Sequence, residues 1–193
     1  MSNKLNLSQQ NIIFFITHTR TISTLKKRLH EARVCDTLLK RRNFMKQTSY
    51  VMVKPEFANY PEVIEEVRKR FQNAGLNIVE ESYVTYDKAS AEAHYEEHKG
   101  KSFFAELVDY LASDKSYAMI IEGEDAINTI RTLVLRDKAA GLQPGDIRYD
   151  IPQMLGQELN MTKNVIHASD KTESAEREIA IYRNALAKAQ PQR

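Results

Sequence analysis

Four short runs of strand-forming residues, separated by stretches with helical periodicity, constrain the fold of this chain more than any other feature. The runs are 49–53, 76–86, 117–121 and 164–167. Strands and helices that alternate along a chain predict a sheet with helices packed against it. Four strands are compatible with a βαββαβ sheet covered on one face by helices, and the pattern alone does not separate this from a small doubly wound fold.

The segments between the runs carry signals for the ends of helices. Pro61 suits the first turn of a helix whose apolar positions end before Gly75. Asp87 predicts the N-cap of a helix over residues 88–98. Residues 149–162 lack a period, and we expect them to be irregular.

Composition sets limits on the class of protein. A chain of 193 residues predicts one domain, or one domain with an appendage. No apolar run approaches the ~20 residues that cross a bilayer, so we expect no membrane partner. The single cysteine, Cys35, excludes an internal disulfide framework and fits a reducing compartment, which favours a cytoplasmic location. The histidine spacing predicts no structural metal site.

The first 46 residues differ in charge from the rest. They hold ten Lys or Arg against two acids, whereas residues 47–193 hold 18 basic and 24 acidic residues. This basic N-terminal extension has three open interpretations: an organelle transit peptide, a disordered basic tail that touches nucleic acid or anionic lipid, or a stretch before a true start at Met45 that is not translated. We favour the last, and we expect no base-stacking contact with nucleic acid there, since aromatic residues are not interleaved with the basic ones.

The segment 164–170, Asn-Val-Ile-His-Ala-Ser-Asp, places a histidine at the end of a buried strand, just before an amphipathic helix. An imidazole held at such a corner can present one ring nitrogen to a cleft, and neutral imidazole is a competent nucleophile near pH 7. A core histidine satisfied by a backbone carbonyl is the alternative for His167 considered alone.

This segment resembles the active-site signature of nucleoside diphosphate kinases, Asn-x-x-His-x-Ser-Asp, whose histidine becomes phosphorylated. The resemblance continues in register from about Ser49 to about Tyr182. It implies the ferredoxin-like α+β arrangement, with an antiparallel four-stranded sheet, for a domain over residues 47–190. It also implies a homo-oligomer, either a hexamer or a tetramer.

Three cations match positions at which the family contacts phosphate. Lys54 lies in Val-Lys-Pro-Glu, which is similar to Ile-Lys-Pro-Asp in the family. Arg148 lies in Pro-Gly-Asp-Ile-Arg, which is similar to Pro-Gly-Thr-Ile-Arg, and Arg131 lies in the preceding helix. Planar, permanently charged guanidinium groups suit the clamping of phosphate.

The resemblance also implies a segment that binds the nucleotide. Residues 93–104 are similar to His-Tyr-x-x-His-Lys-x-Lys-Pro-Phe-Phe in the family. By this match Phe103 stacks on the base, Tyr95 lies beside the nucleophile, and Asn164 hydrogen-bonds a sugar hydroxyl. Phe104 is expected in the core. A base held by stacking is poorly discriminated, so broad specificity is expected.

The activity that the resemblance implies is a ping-pong transfer of the γ-phosphoryl group of ATP, or another nucleoside triphosphate, to a nucleoside diphosphate through phosphorylated His167. Ser169 and Glu178 match the residues that hold the imidazole. Mg²⁺ is expected to be carried by the nucleotide phosphates, with no protein metal ligands.

Two departures from the family pattern affect this expectation. Asp137 replaces a threonine that contacts phosphate, and a carboxylate there repels a phosphate unless Arg136 or Lys138 turns inward. The spacing between Arg148 and His167 is 19 residues, about six longer than is usual in the family, which places an insertion in residues 151–163 near the site. The alternative function is therefore a catalytically weak or inactive nucleotide-binding module of the same fold.

Overall fold

The computed structural model describes residues 46–159 and 164–189. Its elements are, in chain order, β1 (Lys46–Val53), α1 (Pro55–Ala58), α2 (Pro61–Asn73), β2 (Asn77–Val84), α3 (Lys88–His94), α4 (Phe104–Leu111), β3 (Ser116–Glu124), α5 (Ala126–Val134), α6 (Ile147–Met154), β4 (Ile166–Ala168) and α7 (Thr172–Ala189). The basic extension predicted over residues 1–46 lies outside the described residues, except for Lys46 at the start of β1.

The strands form an antiparallel sheet in the order β2-β3-β1-β4. β1 pairs with β3 along its length, from Lys46 opposite Glu124 to Val53 opposite Tyr117. On its other side β1 pairs with β4, where Met52 lies opposite His167. Antiparallel pairing in this order is the ferredoxin-like arrangement, and it excludes the doubly wound alternative, whose strands are parallel.

β1 is the centre of the molecule because its apolar run leaves no polar face. Val51 and Val53 belong to one core, with α1, α2, α5 and α6. Tyr50 and Met52 belong to a second core, with α3, α4 and α7. Helices therefore cover both faces of the sheet and not the one face that the pattern predicted, since a strand that is apolar on both sides has to be buried on both.

Local signals set several helix ends as predicted. Pro61 occupies the first turn of α2, and Gly75, at φ +79°, follows that helix in the left-handed conformation that glycine adopts without strain. The Asp87 side chain caps α3 by accepting a hydrogen bond from the Ser90 amide at 2.7 Å. α3 ends at His94, sooner than predicted, and a short 3₁₀ helix over Glu96–His98 follows it.

The expectation that residues 149–162 are irregular is wrong for their first part. α6 spans Ile147–Met154 and includes Pro152. Proline removes only one helical hydrogen bond, and burial of Ile147 and Ile151 against the first core stabilises the helix. Residues 160–163, within the predicted insertion, lie outside the described residues.

Within residues 46–159 and 164–189, no helix combines the length and the apolar character that crossing a membrane requires.

Candidate active site

His167 lies in the middle of β4, the short edge strand. Its partner across the ladder is Met52, which faces the second core, so the imidazole points to the side of the sheet that α3 and α7 cover. The side chain is 20% exposed, in contrast to the fully buried strand residue before it. The ring is therefore supported by the fold while part of it stays accessible.

Glu178, on α7, holds one edge of this ring. Its Oε2 atom is 3.1 Å from Nε2 of His167, at the distance of an ion pair, although the two groups are not aligned as a linear hydrogen bond. Burial alone raises the pKa of the Glu178 carboxyl, but His167 and Ser169 outweigh it and hold that pKa below its usual value. Because the carboxylate faces Nε2, the ring nitrogen that remains for chemistry is Nδ1.

Ser169 links this carboxylate to the sheet. Its buried Oγ donates to Oε2 of Glu178 at 2.6 Å and accepts from the Tyr50 amide at 3.1 Å. Its own amide donates to the Tyr50 carbonyl at 3.0 Å, just beyond the β1–β4 ladder. Ser169 thus fixes Glu178 against β1, and Glu178 fixes His167.

Lys54 is a buried cation at the carboxyl end of β1. It is 5% exposed, and its amide donates to the Val165 carbonyl at 2.9 Å, which places it beside the entry to β4. Burial, together with the charge of Arg148, lowers the pKa of the Lys54 ammonium to about 7. A buried ammonium with this pKa is stabilised by any anion that reaches it.

Arg148, on α6, reaches the same strand. Its Nε and Nη2 atoms donate to the Ile166 carbonyl at 3.2 and 2.8 Å. Burial first, and then the charge of Arg131, lowers the pKa of its guanidinium to about 10. Arg131 is exposed on α5, close enough for its charge to act on both Arg148 and Asp170.

The three cations have no carboxylate partner at ion-pair distance among the residues that the structure describes, whereas other buried or half-buried arginines, such as Arg68 and Arg70, have one. Cations that repel one another beside a half-exposed imidazole favour the binding of an anion such as a phosphate group. The site therefore combines an oriented imidazole with a pocket for a polyanion.

The residues expected to bind the base and sugar lie at the edge of this site. Phe103 directly precedes α4 and is 40% exposed, with Lys101 Nζ 5.7 Å from the centre of its ring. Phe104 packs against the second core, as predicted. Asn164 is half-buried, two residues before β4. Phe103 therefore offers an accessible aromatic face for stacking.

Tyr95 contacts His94, which in turn contacts His167. Its ring packs edge-on to His94, with 4.9 Å between centroids, and burial raises the pKa of its hydroxyl. His94 in turn packs edge-on to His167 at 4.6 Å. His94 was not singled out in the sequence analysis. Its position immediately before Tyr95 in the same motif could have identified it.

Asp137 lies in the exposed loop after α5. Its Oδ1 atom accepts from the Ala139 amide at 2.8 Å, so its carboxylate stabilises its own turn. Arg136 does not turn inward to compensate: its Nε lies 3.4 Å from buried Asp146, and its Nη2 donates to the Pro144 carbonyl at 3.2 Å. Arg136 thus does not pair with Asp137, whose described contact is local.

Comparison with known proteins agrees with this geometry. A family model described as nucleoside diphosphate kinase matches residues 47–186. The chain is similar to the nucleoside diphosphate kinase of Methanocaldococcus jannaschii, with 38% identity over 138 residues, which cover 72% of this chain and 94% of the relative. It is also similar to that of Sulfurisphaera tokodaii, with 40% identity over 136 residues, 70% of this chain and 88% of the relative.

Solved structures give the same result. The Aquifex aeolicus nucleoside diphosphate kinase superposes with a TM-score of 0.61 at 29% identity, covering 70% of this chain and 94% of that one. The halophilic enzyme from Halobacterium salinarum, solved in complex with CDP, superposes with a TM-score of 0.60 at 34% identity, covering 71% of this chain and 87% of that one.

Proposed function

Because this chain belongs to the nucleoside diphosphate kinase family and is therefore a phosphotransferase that acts on nucleotides, we propose that His167 is the residue that carries the phosphoryl group. The observation that supports this assignment is the proximity of His167 Nε2 to the Glu178 carboxylate, beside Lys54 and Arg148, which have no carboxylate partner among the described residues. An oriented nucleophile next to an anion pocket is what phosphoryl transfer requires.

In the first half-reaction, Nδ1 of His167 attacks the γ-phosphorus of a nucleoside triphosphate such as ATP. The bond from that phosphorus to the bridging oxygen breaks, and the nucleoside diphosphate leaves with the bonding electrons. The imidazole becomes positively charged, and the Glu178 carboxylate at Nε2 stabilises that charge. Ser169 keeps the carboxylate in place.

The cations act on the transferring group. Lys54 is buried and Arg148 is half-buried beside β4, so their charges are only partly screened when they face the phosphate oxygens. Arg131, more exposed, completes the clamp from α5. Charge that spreads over the equatorial oxygens is neutralised in this way.

The second half-reaction reverses the first with a different nucleotide. A second nucleoside diphosphate binds where the first one left, its terminal oxygen attacks the phosphorus, and the bond to Nδ1 breaks, which regenerates His167. Phe103 stacks on either base, and Asn164 bonds the sugar. Tyr95 supports the wall of the site through His94. Nucleotides with different bases are then accepted by one site.

Mg²⁺ enters this proposal with the nucleotide. Magnesium prefers an octahedral set of oxygen ligands, and the described groups beside His167 that face an incoming phosphate are cations. The metal would thus be held by the phosphates of the substrate, and it would supply charge neutralisation for the leaving diphosphate.

Further expectations belong to the same proposal. We propose a domain over residues 47–190 that assembles as a homo-oligomer, either a hexamer or a tetramer, in the cytoplasm. Asp137 makes its described contact within its own turn, and no observation favours an inactive module. Gel filtration with light scattering tests the assembly.

The test of the reaction uses purified protein and a His167→Ala variant, each incubated first with ATP and Mg²⁺ alone and then with GDP. We expect acid-labile phosphoprotein before GDP is added, its discharge as GTP afterwards, and neither product with the variant. A Glu176→Ala variant, altered at an exposed position of α7, is the matched control. GTP formation without a phosphoprotein, or phosphorylation that persists in His167→Ala, contradicts the assignment.

A further inference from the structure

A buried histidine that the reaction does not use lies directly behind the nucleophile. His94 is 2% exposed, and neither of its ring nitrogens has a hydrogen-bond partner among the described residues. Its ring is enclosed by aromatic neighbours: Tyr50 at 5.9 Å, Tyr95 at 4.9 Å and His167 at 4.6 Å between centroids. Burying an imidazole with both nitrogens unsatisfied is costly, so this arrangement calls for an explanation.

The nitrogens of His94 are close to two further donors. One ligand atom from each of His94, His167 and Glu178 lies within 4.8 Å of the others. We propose that these three residues form a binding site for a divalent transition-metal cation, with Zn²⁺ as the reference ion, and that its occupation inhibits the kinase. The inhibitory part rests on the proposed role of His167; the binding part does not.

The spacing of the donors is close to what zinc needs. Tetrahedral zinc with bonds of about 2.0–2.1 Å separates neighbouring ligand atoms by ~3.3 Å. Nε2 of His167 and Oε2 of Glu178 are already 3.1 Å apart. The ligand atoms of all three residues lie within 4.8 Å of one another, so the approach that zinc requires of His94 is at most about 1.5 Å. Two imidazoles and one carboxylate also leave the fourth position open for water.

The chemistry of the donors selects the metal. Imidazole nitrogen binds zinc, copper and nickel well, whereas magnesium requires oxygen ligands. Burial first, and then the charge of His167, lowers the pKa of His94 to about 3, so this ring is neutral at neutral pH. Millimolar Mg²⁺, which the reaction needs, therefore does not compete for these nitrogens.

Inhibition follows from the proton on His167. In the neutral tautomer that attacks through Nδ1, the proton is on Nε2, the nitrogen beside the Glu178 carboxylate. A cation bonded to Nε2 displaces that proton, and the neutral ring then holds its one proton on Nδ1. The Nδ1 lone pair is no longer available to attack phosphorus, and Glu178 no longer stabilises the imidazole.

The binding test uses the full chain without nucleotide, titrated by calorimetry with ZnCl₂ and followed with CoCl₂ through the visible absorption of four-coordinate Co²⁺. The variants are His94→Phe, which keeps an aromatic ring, and His98→Gln, a control at a half-buried histidine outside the cluster. We expect His94→Phe to bind the metal at this site about tenfold more weakly or worse. Removal of a residue that only hydrogen-bonds a metal ligand already lowers metal affinity by about this factor. Glu178→Gln gives the same loss, and His98→Gln gives none.

Equal affinity in wild type and His94→Phe, with both folded by circular dichroism, overturns the site and leaves His94 as an aromatic packing residue. The inhibitory part is measured as formation of phosphoprotein from ATP at fixed Mg²⁺ while Zn²⁺ is increased, with each variant normalised to its own rate without zinc. We expect inhibition that a chelator reverses and that needs about tenfold more Zn²⁺ in His94→Phe. Zinc that binds without slowing phosphorylation overturns that part.

Discussion

Replacement of Lys54 by methionine should stabilise this protein while it removes activity. The fold buries the Lys54 ammonium to 5% exposure and lowers its pKa from 10.5 to about 7. At 1.36 kcal/mol per pKa unit, keeping the charge in the folded protein below pH 7 costs on the order of 5 kcal/mol. Methionine is similar in length and carries no charge, so Lys54→Met removes this cost and fills the same space.

The gain should depend on pH in a defined direction. Below pH 7 both the folded and the unfolded wild type hold the proton, and the full cost is present. Between pH 7 and about 10.5 the folded protein releases the proton while the unfolded chain keeps it, so wild-type stability rises with pH. The advantage of Lys54→Met is therefore largest at pH 6 and falls to about 1–2 kcal/mol at pH 9.5.

Urea or thermal unfolding of both proteins at pH 6 and pH 9.5 measures this difference; each kcal/mol shifts the midpoint temperature by roughly 2–4 °C in a domain of this size. Lys69→Met, at an exposed position of α2, is the control and should change stability little at either pH. Phosphoprotein formation should be lost in Lys54→Met only. A variant less stable than wild type at pH 6, or an advantage that is equal at both pH values, refutes the account of Lys54 as an uncompensated buried cation.

Other changes test separate parts of the structure. Glu178→Gln should keep the fold but slow phosphorylation of the protein by roughly 10²-fold, because a neutral amide does not stabilise the charged imidazole. Rapid-quench measurement of phosphoprotein checks this rate, and an unchanged rate contradicts the role of the carboxylate. Phe103→Ala should raise the KM for GDP and for CDP by similar factors, since one stacking contact contributes about 1–3 kcal/mol; an effect on one base alone would mean that the base edge is read. Asp87→Ala should cost about 1 kcal/mol of stability by removing the N-cap of α3, whereas Asp109→Ala, which breaks an exposed ion pair with Lys88, should cost less in the same denaturation assay.

Much of the fold could be predicted from short-range signals. The apolar run of β1, the Asp87 cap and the end of α2 before Gly75 each depend on residues a few positions apart, and the structure confirms them. α6 could not be predicted in this way. Its sequence contains Pro152, and its stability comes from burial of Ile147 and Ile151 against a core that distant residues build.

The candidate site, like the fold, could be predicted only in part from the sequence. The motif around His167 by itself determined the nucleophile candidate, and the spacing to Glu178 placed a carboxylate on the following helix. Sequence could not separate this carboxylate from a solvent-facing acid. Only the tertiary structure decided that it is 2% exposed and 3.1 Å from Nε2, because α7 packs against the face of β1 on which Tyr50 and Met52 lie.

The electrostatic state of the site was likewise decided by the tertiary structure. A sequence shows that Lys54 and Arg148 are cations, and nothing in it shows whether an acid lies beside them. Their pKa values are lowered by burial and by a neighbouring cation, which is Arg148 for Lys54 and Arg131 for Arg148. The contact of His94 with His167 comes from a helix and a strand that are distant in the chain. Residue types and local periodicity determined which elements form and which side chains can act as nucleophile, acid or cation. The burial of those side chains and the distances between them depend on how the elements pack, which no local pattern specifies.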